Sequence, residues 1–342
     1  MAGLRDYNLS VPAPAKMHIP NSLLFLLPLP LVAATLFLLL RSGLAWRLAV
    51  DEPNHRSLHT GKVPRIGGLV IVLALLAVWT VAMAPPQGLL PAVAVLAVVS
   101  YADDHWGMPV VLRFAAHTLV AAAYAGLVAN PGWTGLLMTT LALAWLTNLY
   151  NFMDGANGLA GGMAVFGFGV YGLAALPGNE SLAFISFGVA AAAAGFLLFN
   201  FHPARVFMGD VGSIPLGFLA GAIGLAGWTQ ALWPAWFPLL VFAPFVVDAS
   251  VTLVRRGLRG ERVWQAHREH YYQRLVRMGW SHRRLALHEY ALMAALGASA
   301  LALQTTPDVV QWAGLAAWLG VLCALMWVID RRWRNHTNGG RP

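Results

Sequence analysis

The sequence predicts an all-α, polytopic integral membrane protein with about eleven transmembrane helices, on the strength of three observations. Of 342 residues, 58% are hydrophobic and only 11% charged, and the mean hydropathy is +0.64. Soluble domains carry roughly 25% charged residues, so most of this surface must face lipid. The apolar residues gather into runs near the length of about 20 that crosses a bilayer as a helix. Those runs are uniformly apolar, which excludes an outer-membrane barrel with its alternating strands.

In chain order, residues 1–22 form a polar, proline-bearing N-terminal segment. Eleven runs follow, at 23–40, 67–84, 88–102, 110–129, 134–149, 158–176, 182–200, 213–230, 235–254, 286–303 and 310–329. The first has no strongly basic region before it and no clear small-residue cleavage site after it, so it is expected to be a retained span. Gly/Ala-rich stretches such as 188–195 suit close helix packing in lipid. Residues 23–329 are read as one transmembrane domain and 330–342 as a basic tail.

Cytoplasmic loops are rich in Arg and Lys. Here the cations cluster at 41–65, 255–284 and 331–341, while 85–87, 130–133, 177–181, 231–234 and 304–309 contain none. Eleven spans place all three basic segments on one side, so the N-terminus is expected outside and the C-terminus in the cytoplasm. The net charge of +8 is thereby explained by topology and anionic lipid, and nucleic acid is excluded as a partner. The single cysteine, Cys323, excludes an intrachain disulfide.

A carboxylate beside hydrocarbon is expensive and marks a functional site by default. Asp103 and Asp104 end the third run, bracketed by Tyr101 and Trp106, with Arg113 opening the next. Adjacent carboxylates repel, so one is suited to a metal and the other to a proton; the plain alternative is a helix end meeting water. Asn148, Asn151 and Asp154 recur at spacings of three, hence on one helical face, with Gly155, Asn157 and Gly158 following. A C-cap turn explains Gly155 but not two inward asparagines. Asn200, His202, Arg205, Gly209, Asp210, Gly212 and Ser213 form a third patch, where an acid and free helix N–H groups suit metal and phosphate.

The fourth patch is His267-Arg268-Glu269-His270-Tyr271-Tyr272-Gln273-Arg274. On a helix both histidines would share a face with Arg274, suited to a diphosphate; a zinc site or a lipid-surface helix are the alternatives. The loop 53–68 adds cations, including Lys62, before Gly67 and Gly68. Asp248 is open between joining the site and serving as a buried structural partner. All four acidic or histidine patches fall on the expected cytoplasmic side, which points to one composite site.

These elements resemble the polyprenyl-phosphate N-acetylhexosamine-1-phosphate transferase family, glycosyltransferase family 4, across residues 51–284. The acidic pair, the Asn148/Asn151/Asp154-Gly155 element, the Gly209-Asp210-x-Gly212-Ser213 block and the His267/His270 loop occur in the family's order. The resemblance implies transfer of a sugar-1-phosphate from a UDP-N-acetylhexosamine to undecaprenyl phosphate, with release of UMP. It implies Mg²⁺, with Mn²⁺ as alternative, held by Asp210 and assisted by Asp104. Asp103 would orient or deprotonate the lipid phosphate, and Asn151 and Asp154 would bind nucleotide or metal. His267, His270 and Lys62 would hold phosphates, with Asn148, Asn157, Asn200, Arg113, Gly209 and Arg268 completing substrate binding.

The implied setting is the cytoplasmic face of a bacterial inner membrane, and a homodimer is compatible with it. The His-Arg-Glu-His sequence is similar to O-antigen-initiating members that take deoxygenated amino sugars, which argues against plain UDP-GlcNAc and more strongly against a muramoyl-pentapeptide. Two other classes compete. A secondary transporter would show broken helices near the midplane, and a phosphatidyl-alcohol synthase would place its acids in one contiguous run.

Overall fold

The computed structural model describes residues 21–53, 58, 61–82, 85–128, 132–265 and 267–338. The cations and histidines expected at 54–57 and 59–60 lie outside the described residues. The fold is a helical bundle: α1 (Asn21–Leu24), α2 (Pro28–Arg41), α3 (Ala45–Leu48), α4 (Gly67–Ala82), α5 (Leu89–Trp106), α6 (Val110–Val128), α7 (Gly132–Phe152), α8 (Leu159–Ala175), α9 (Glu180–Asn200), α10 (Asp210–Thr229), α11 (Phe237–Val241), α12 (Ala243–Leu258), α13 (Tyr271–Arg277), α14 (His282–Leu303) and α15 (Asp308–Asn338). One short antiparallel pair, β1 (Val50–Asp51) and β2 (Val63–Pro64), interrupts it, with Val50 opposite Pro64 and Asp51 opposite Val63.

Every expected span meets a helix. By length and apolarity alone, five described helices can cross a membrane: α6, α9, α10, α14 and α15. Among the others, α2, α4 and α8 are apolar but shorter, and α5 carries Asp103 and Asp104 in its last turn. The run at 235–254 is divided: α11 stops at Val241 and α12 starts at Ala243. Pro238 and Pro244 sit at the first turns of these two pieces, where a missing N–H costs nothing. Helix α15 continues through Asn338, so residues 330–338 of the expected tail prolong the last helix.

At the centre lies α10, buried continuously from Val211 to Gly227. It packs against α4, α5, α6, α7 and α8. Its crossing with α4 is backbone against backbone: a Cβ on Gly68 would lie 2.3 Å from the Gly212 nitrogen. Close approach of this kind depends on small residues, since lipid offers little hydrophobic drive between helices. It has a chemical consequence. The Gly67 and Gly68 amides donate to the Phe207 and Met208 carbonyls, each at 2.9 Å, and the Phe207 amide donates to Pro64 at 2.8 Å. Residues 64–68 are thereby laced to 207–208, and Arg65 is delivered beside Asp210.

Candidate functional site

A cavity of about 930 Å³ opens at the end of the bundle where α5, α7, α10 and α12 terminate or begin. Asp104 and Asp210 face each other across it through one guanidinium nitrogen. Arg65 Nη2 lies 2.5 Å from Asp210 Oδ1 and 3.1 Å from Asp104 Oδ1. Burial alone would lower the Arg65 pKa, yet Asp210 and Asp104 more than offset it and leave it raised. Asp210 occupies the first turn of α10, where the helix dipole favours an anion. Gly209 precedes it at φ +73°, a backbone suited to glycine.

The asparagine face converges as expected, with one difference. Helix α7 ends at Phe152, so Asp154 sits past the helix in the following loop. Asn151 still reaches Asp210, Nδ2 to Oδ2 at 3.5 Å, and accepts from Ser213 Oγ at 2.7 Å. Asp154 accepts the Gly209 amide, yet burial and the nearby Asp210 push its pKa up to about 8. Asn148 is oriented by its bond to the Ala144 carbonyl (2.7 Å) and its contact with His117 Nδ1 (3.2 Å).

Asn157 is pinned twice: its amide donates to His282 Nδ1 and its Nδ2 meets His202 Nδ1, each at 3.1 Å. Asn200 braces two motifs, accepting from the Gly158 amide at 2.9 Å and donating to Val206 at 2.9 Å. Both its polar ends are engaged within the protein.

Asp103 behaves differently from Asp104. Its Oδ1 accepts the Met108 amide and its Oδ2 the Arg113 guanidinium, each at 2.7 Å. With both oxygens bonded it is built to orient Arg113. The histidine loop also departs from expectation: residues 267–270 are not helical, and α13 begins at Tyr271 with His270 in a capping box with Gln273. The rings of His267 and His270 nevertheless come within 4.7 Å. Burial, then His270 and Arg256, push His267 down to about 4. Before a phosphate binds, it is therefore a neutral ring at pH 7, able to hydrogen-bond one.

Asp248 proves to be the anchor of that loop. Its carboxylate accepts the Tyr271 amide (2.9 Å), the Tyr272 amide (3.0 Å) and the Thr252 hydroxyl (3.2 Å), with His270 Nδ1 at 3.2 Å. It does not line the cavity.

The cavity thus gathers Asp103, Asp104, Arg113, Asn148, Asn151, Asp154, Asn157, Asn200, Gly209, Asp210, His267 and His270. Lys62 and Arg268 stay off its wall. Lys62 is exposed and pairs with Glu52 at 2.5 Å, while the Arg268 carbonyl accepts from Arg277 at 3.0 Å. Arg65, His282 and Ser100 were missed as site residues. Arg65 stood in the cationic loop beside Pro64 and Gly67, but its partner is 145 residues away. Ser100 lies one turn before the acidic pair on the cavity wall, and its buried hydroxyl has no hydrogen-bond partner among the described residues.

Among the described residues, no three His, Cys, Asp or Glu side chains are grouped to hold a metal unaided. The donors still fit a hard ion. Two carboxylates converge on one cationic nitrogen, and Mg²⁺ uses one or two carboxylates with substrate phosphates and water for the rest. No cysteine lines this cavity, and the donors that meet at Arg65 are carboxylate oxygens, which suit a hard ion better than zinc.

The raised pKa of Asp154 has a measurable consequence. Between the unfolded value of about 3.9 and the folded one of about 8 the native state holds the extra proton. Stability is therefore fullest below the unfolded pKa and is lost as pH rises through the folded one. In EDTA, the melting temperature of the wild type is expected to fall relative to Asp154→Asn as pH rises across that window. Parallel curves for the two proteins would contradict it.

Residues 87–227 match the family model described as Glycosyl transferase family 4. The chain is 29% identical over 282 residues to a Bacillus subtilis protein named "Probable undecaprenyl-phosphate N-acetylglucosaminyl 1-phosphate transferase", covering 75% of this chain and 78% of that one. It is 31% identical over 299 residues to the decaprenyl-phosphate N-acetylglucosaminephosphotransferase of Mycobacterium tuberculosis, covering 72% and 74%. It is 30% identical over 288 residues to the phospho-N-acetylmuramoyl-pentapeptide-transferase of Moorella thermoacetica, covering 75% and 88%. With these relatives aligned over most of both chains, and the expected motifs gathered in one cavity, the protein belongs to the polyprenyl-phosphate N-acetylhexosamine-1-phosphate transferase family.

Proposed function

We propose that this chain transfers an N-acetylhexosamine-1-phosphate from a UDP-sugar to undecaprenyl phosphate, releasing UMP, at the cytoplasmic face of a bacterial inner membrane. The observation that supports it best is the convergence of four motifs, dispersed over residues 103–270, on one cavity. The names of the relatives support the reaction class, and the location of soluble UDP-sugars supports the cytoplasmic side.

The lipid phosphate oxygen attacks the β-phosphorus of the UDP-sugar, and the bond to the UMP oxygen breaks. Catalysis of this kind is mostly positioning and electrostatics. Arg113, held by Asp103, receives the lipid phosphate. Arg65 keeps Asp104 and Asp210 together and presents its remaining donors to the diphosphate. Asn148, Asn151, Asp154 and Asn157 orient the nucleotide, while His267 and His270 hydrogen-bond phosphate oxygens. Asp104 and Asp210 would hold Mg²⁺, or Mn²⁺ in its place, which when bound would neutralise the diphosphate charge. The apolar wall of Val99, Phe114, Trp145 and Leu253 accommodates the start of the prenyl chain.

The finer reading is an initiating step of envelope polysaccharide synthesis, with O-antigen as the pathway and a deoxygenated amino sugar as the substrate. It rests on the His-Arg-Glu-His loop, because the relatives above are named for N-acetylglucosamine and N-acetylmuramoyl-pentapeptide. Membranes containing the protein, supplied with undecaprenyl phosphate and a panel of UDP-N-acetylhexosamines, are expected to release UMP only with added Mg²⁺ or Mn²⁺. Release independent of the lipid, or none with any sugar, would overturn the assignment.

A further inference from the structure

The last helix places an acid against the histidine loop from outside the family-matched region. Asp330, on α15, accepts from Arg274 Nη1 at 2.8 Å through Oδ1 and from Arg255 Nη1 at 2.6 Å through Oδ2. The Tyr271 hydroxyl donates to the same Oδ2 at 3.2 Å and also meets Arg255. Both guanidinium groups lie against the Tyr271 ring, at 5.6 Å for Arg255 and 4.9 Å for Arg274. Two cations flanking one ring repel, and Asp330 is the anion that joins them. Arg274 in turn donates its Nε to the Glu269 carbonyl at 2.8 Å. A continuous chain of bonds thus runs from Asp330 to the residue before His270.

Elsewhere α15 is held by a hydrogen bond from the Trp236 indole to Gln311 and by the half-buried Leu315, Trp318 and Ile329 packed against the core. Leu322 is its one buried residue, and a second contact at the same level stacks Arg277 on Trp333 at 4.6 Å. A helix retained only as a lipid-facing span needs apolar surface, not a half-buried acid shared by two arginines.

We propose that Asp330 is a positioning residue for the transfer reaction, acting through Arg274, Arg255 and Tyr271 to fix the loop that carries His267 and His270 on the cavity rim. The inference rests on the proposed reaction for its kinetic consequence, but its structural consequence stands alone. Asp248 grips the loop from the bundle side through the Tyr271 and Tyr272 amides, and Asp330 grips it from the periphery. Loss of the peripheral grip frees the loop without removing any group that touches substrate.

Two measurements on the full-length, detergent-solubilised protein test this. Hydrogen exchange of the peptide spanning 267–275 is expected to be about 10-fold faster in Asp330→Asn than in wild type, with the rest of the bundle unchanged. In the UMP-release assay kcat is expected to fall about 10- to 100-fold, the cost of an ångström-scale misplacement. KM for the lipid phosphate should change little, and Asp330→Glu should recover most of the rate. Arg255→Gln, at a more exposed position, is expected to shift exchange in the same direction, so the proposal survives a failure of Asp330→Asn to fold. Asp308→Asn, at the far end of α15, should match wild type. Unchanged loop exchange in Asp330→Asn and Arg255→Gln would overturn the proposal. The exchange result decides it even for a chain that releases no UMP, an outcome that would count against the proposed reaction alone.

Discussion

Asp210→Asn is expected to abolish transfer while leaving expression and membrane insertion intact. The substitution preserves shape and removes charge at the point where three motifs meet. Asp210 is reached by Arg65 from the loop before α4 and by Asn151 from the end of α7, and shares the Arg65 nitrogen with Asp104. An amide cannot balance that guanidinium or serve as an anionic ligand for a hard ion. The loss of rate should be on the order of 10³-fold or more, about 4 kcal/mol of transition-state stabilisation. The folding cost is much smaller. The helix-dipole contribution of such an acid is roughly 0.3–1 kcal/mol. Loss of the Arg65 pair is offset because Asp104 remains beside Arg65 and the repulsion of Asp104 and Asp154 by Asp210 is relieved. The melting temperature should therefore move little. Normal turnover in this variant would remove Asp210 from the catalytic role.

Gly68→Ala should act in the opposite way, through the fold first. Its Cβ would sit 2.3 Å from the Gly212 nitrogen, 2.4 Å from the Gly212 Cα and 2.6 Å from the Met208 carbonyl oxygen. All three are backbone atoms and cannot step aside by changing rotamer. Helix α4 must back away from α10, carrying Arg65 from Asp210 and Asp104. Overpacking costs typically 1–3 kcal/mol and occasionally more, and a rigid contact this short belongs at or above about 3 kcal/mol. The variant is expected to melt early and lose UMP release together. Gly169→Ala in α8, where a Cβ would meet nothing within 4 Å, should be silent. A Gly68→Ala protein with wild-type melting would show that the two helices are less tightly apposed than described.

Hydropathy made the bundle legible because lipid reads composition directly: a run of about 20 apolar residues has few alternatives to a helix. What hydropathy does not encode is where a helix stops for chemistry. The interruption at Phe242 was signalled only by Pro238 and Pro244 inside an apolar run, and the continuation of α15 beyond Asp330 was masked by the arginines that made it look like a tail. The site was legible wherever acids and asparagines sat in apolar surroundings, since such groups are costly without a purpose.

Arg65 was not legible as their partner, because a cation in a cationic loop gives no sign of an acid 145 residues away. Asp248 illustrates the same limit. Arg255 was its nearest charged neighbour in sequence, yet its partners are the backbone amides of Tyr271 and Tyr272. Asn200, expected as a substrate contact, does line the cavity, but its side-chain amide is also tied to the backbone of Gly158 and Val206. Backbone partners of this kind leave no trace in residue type.

The fate of the β-phosphorus tests the central claim most directly. UDP-N-acetylhexosamine labelled at that atom, given to membranes with undecaprenyl phosphate, should pass its label into the lipid fraction while unlabelled UMP is released. Label remaining in the water-soluble product as UDP, with only the sugar reaching lipid, would mean that the cavity around Asp104 and Asp210 does not transfer a sugar phosphate.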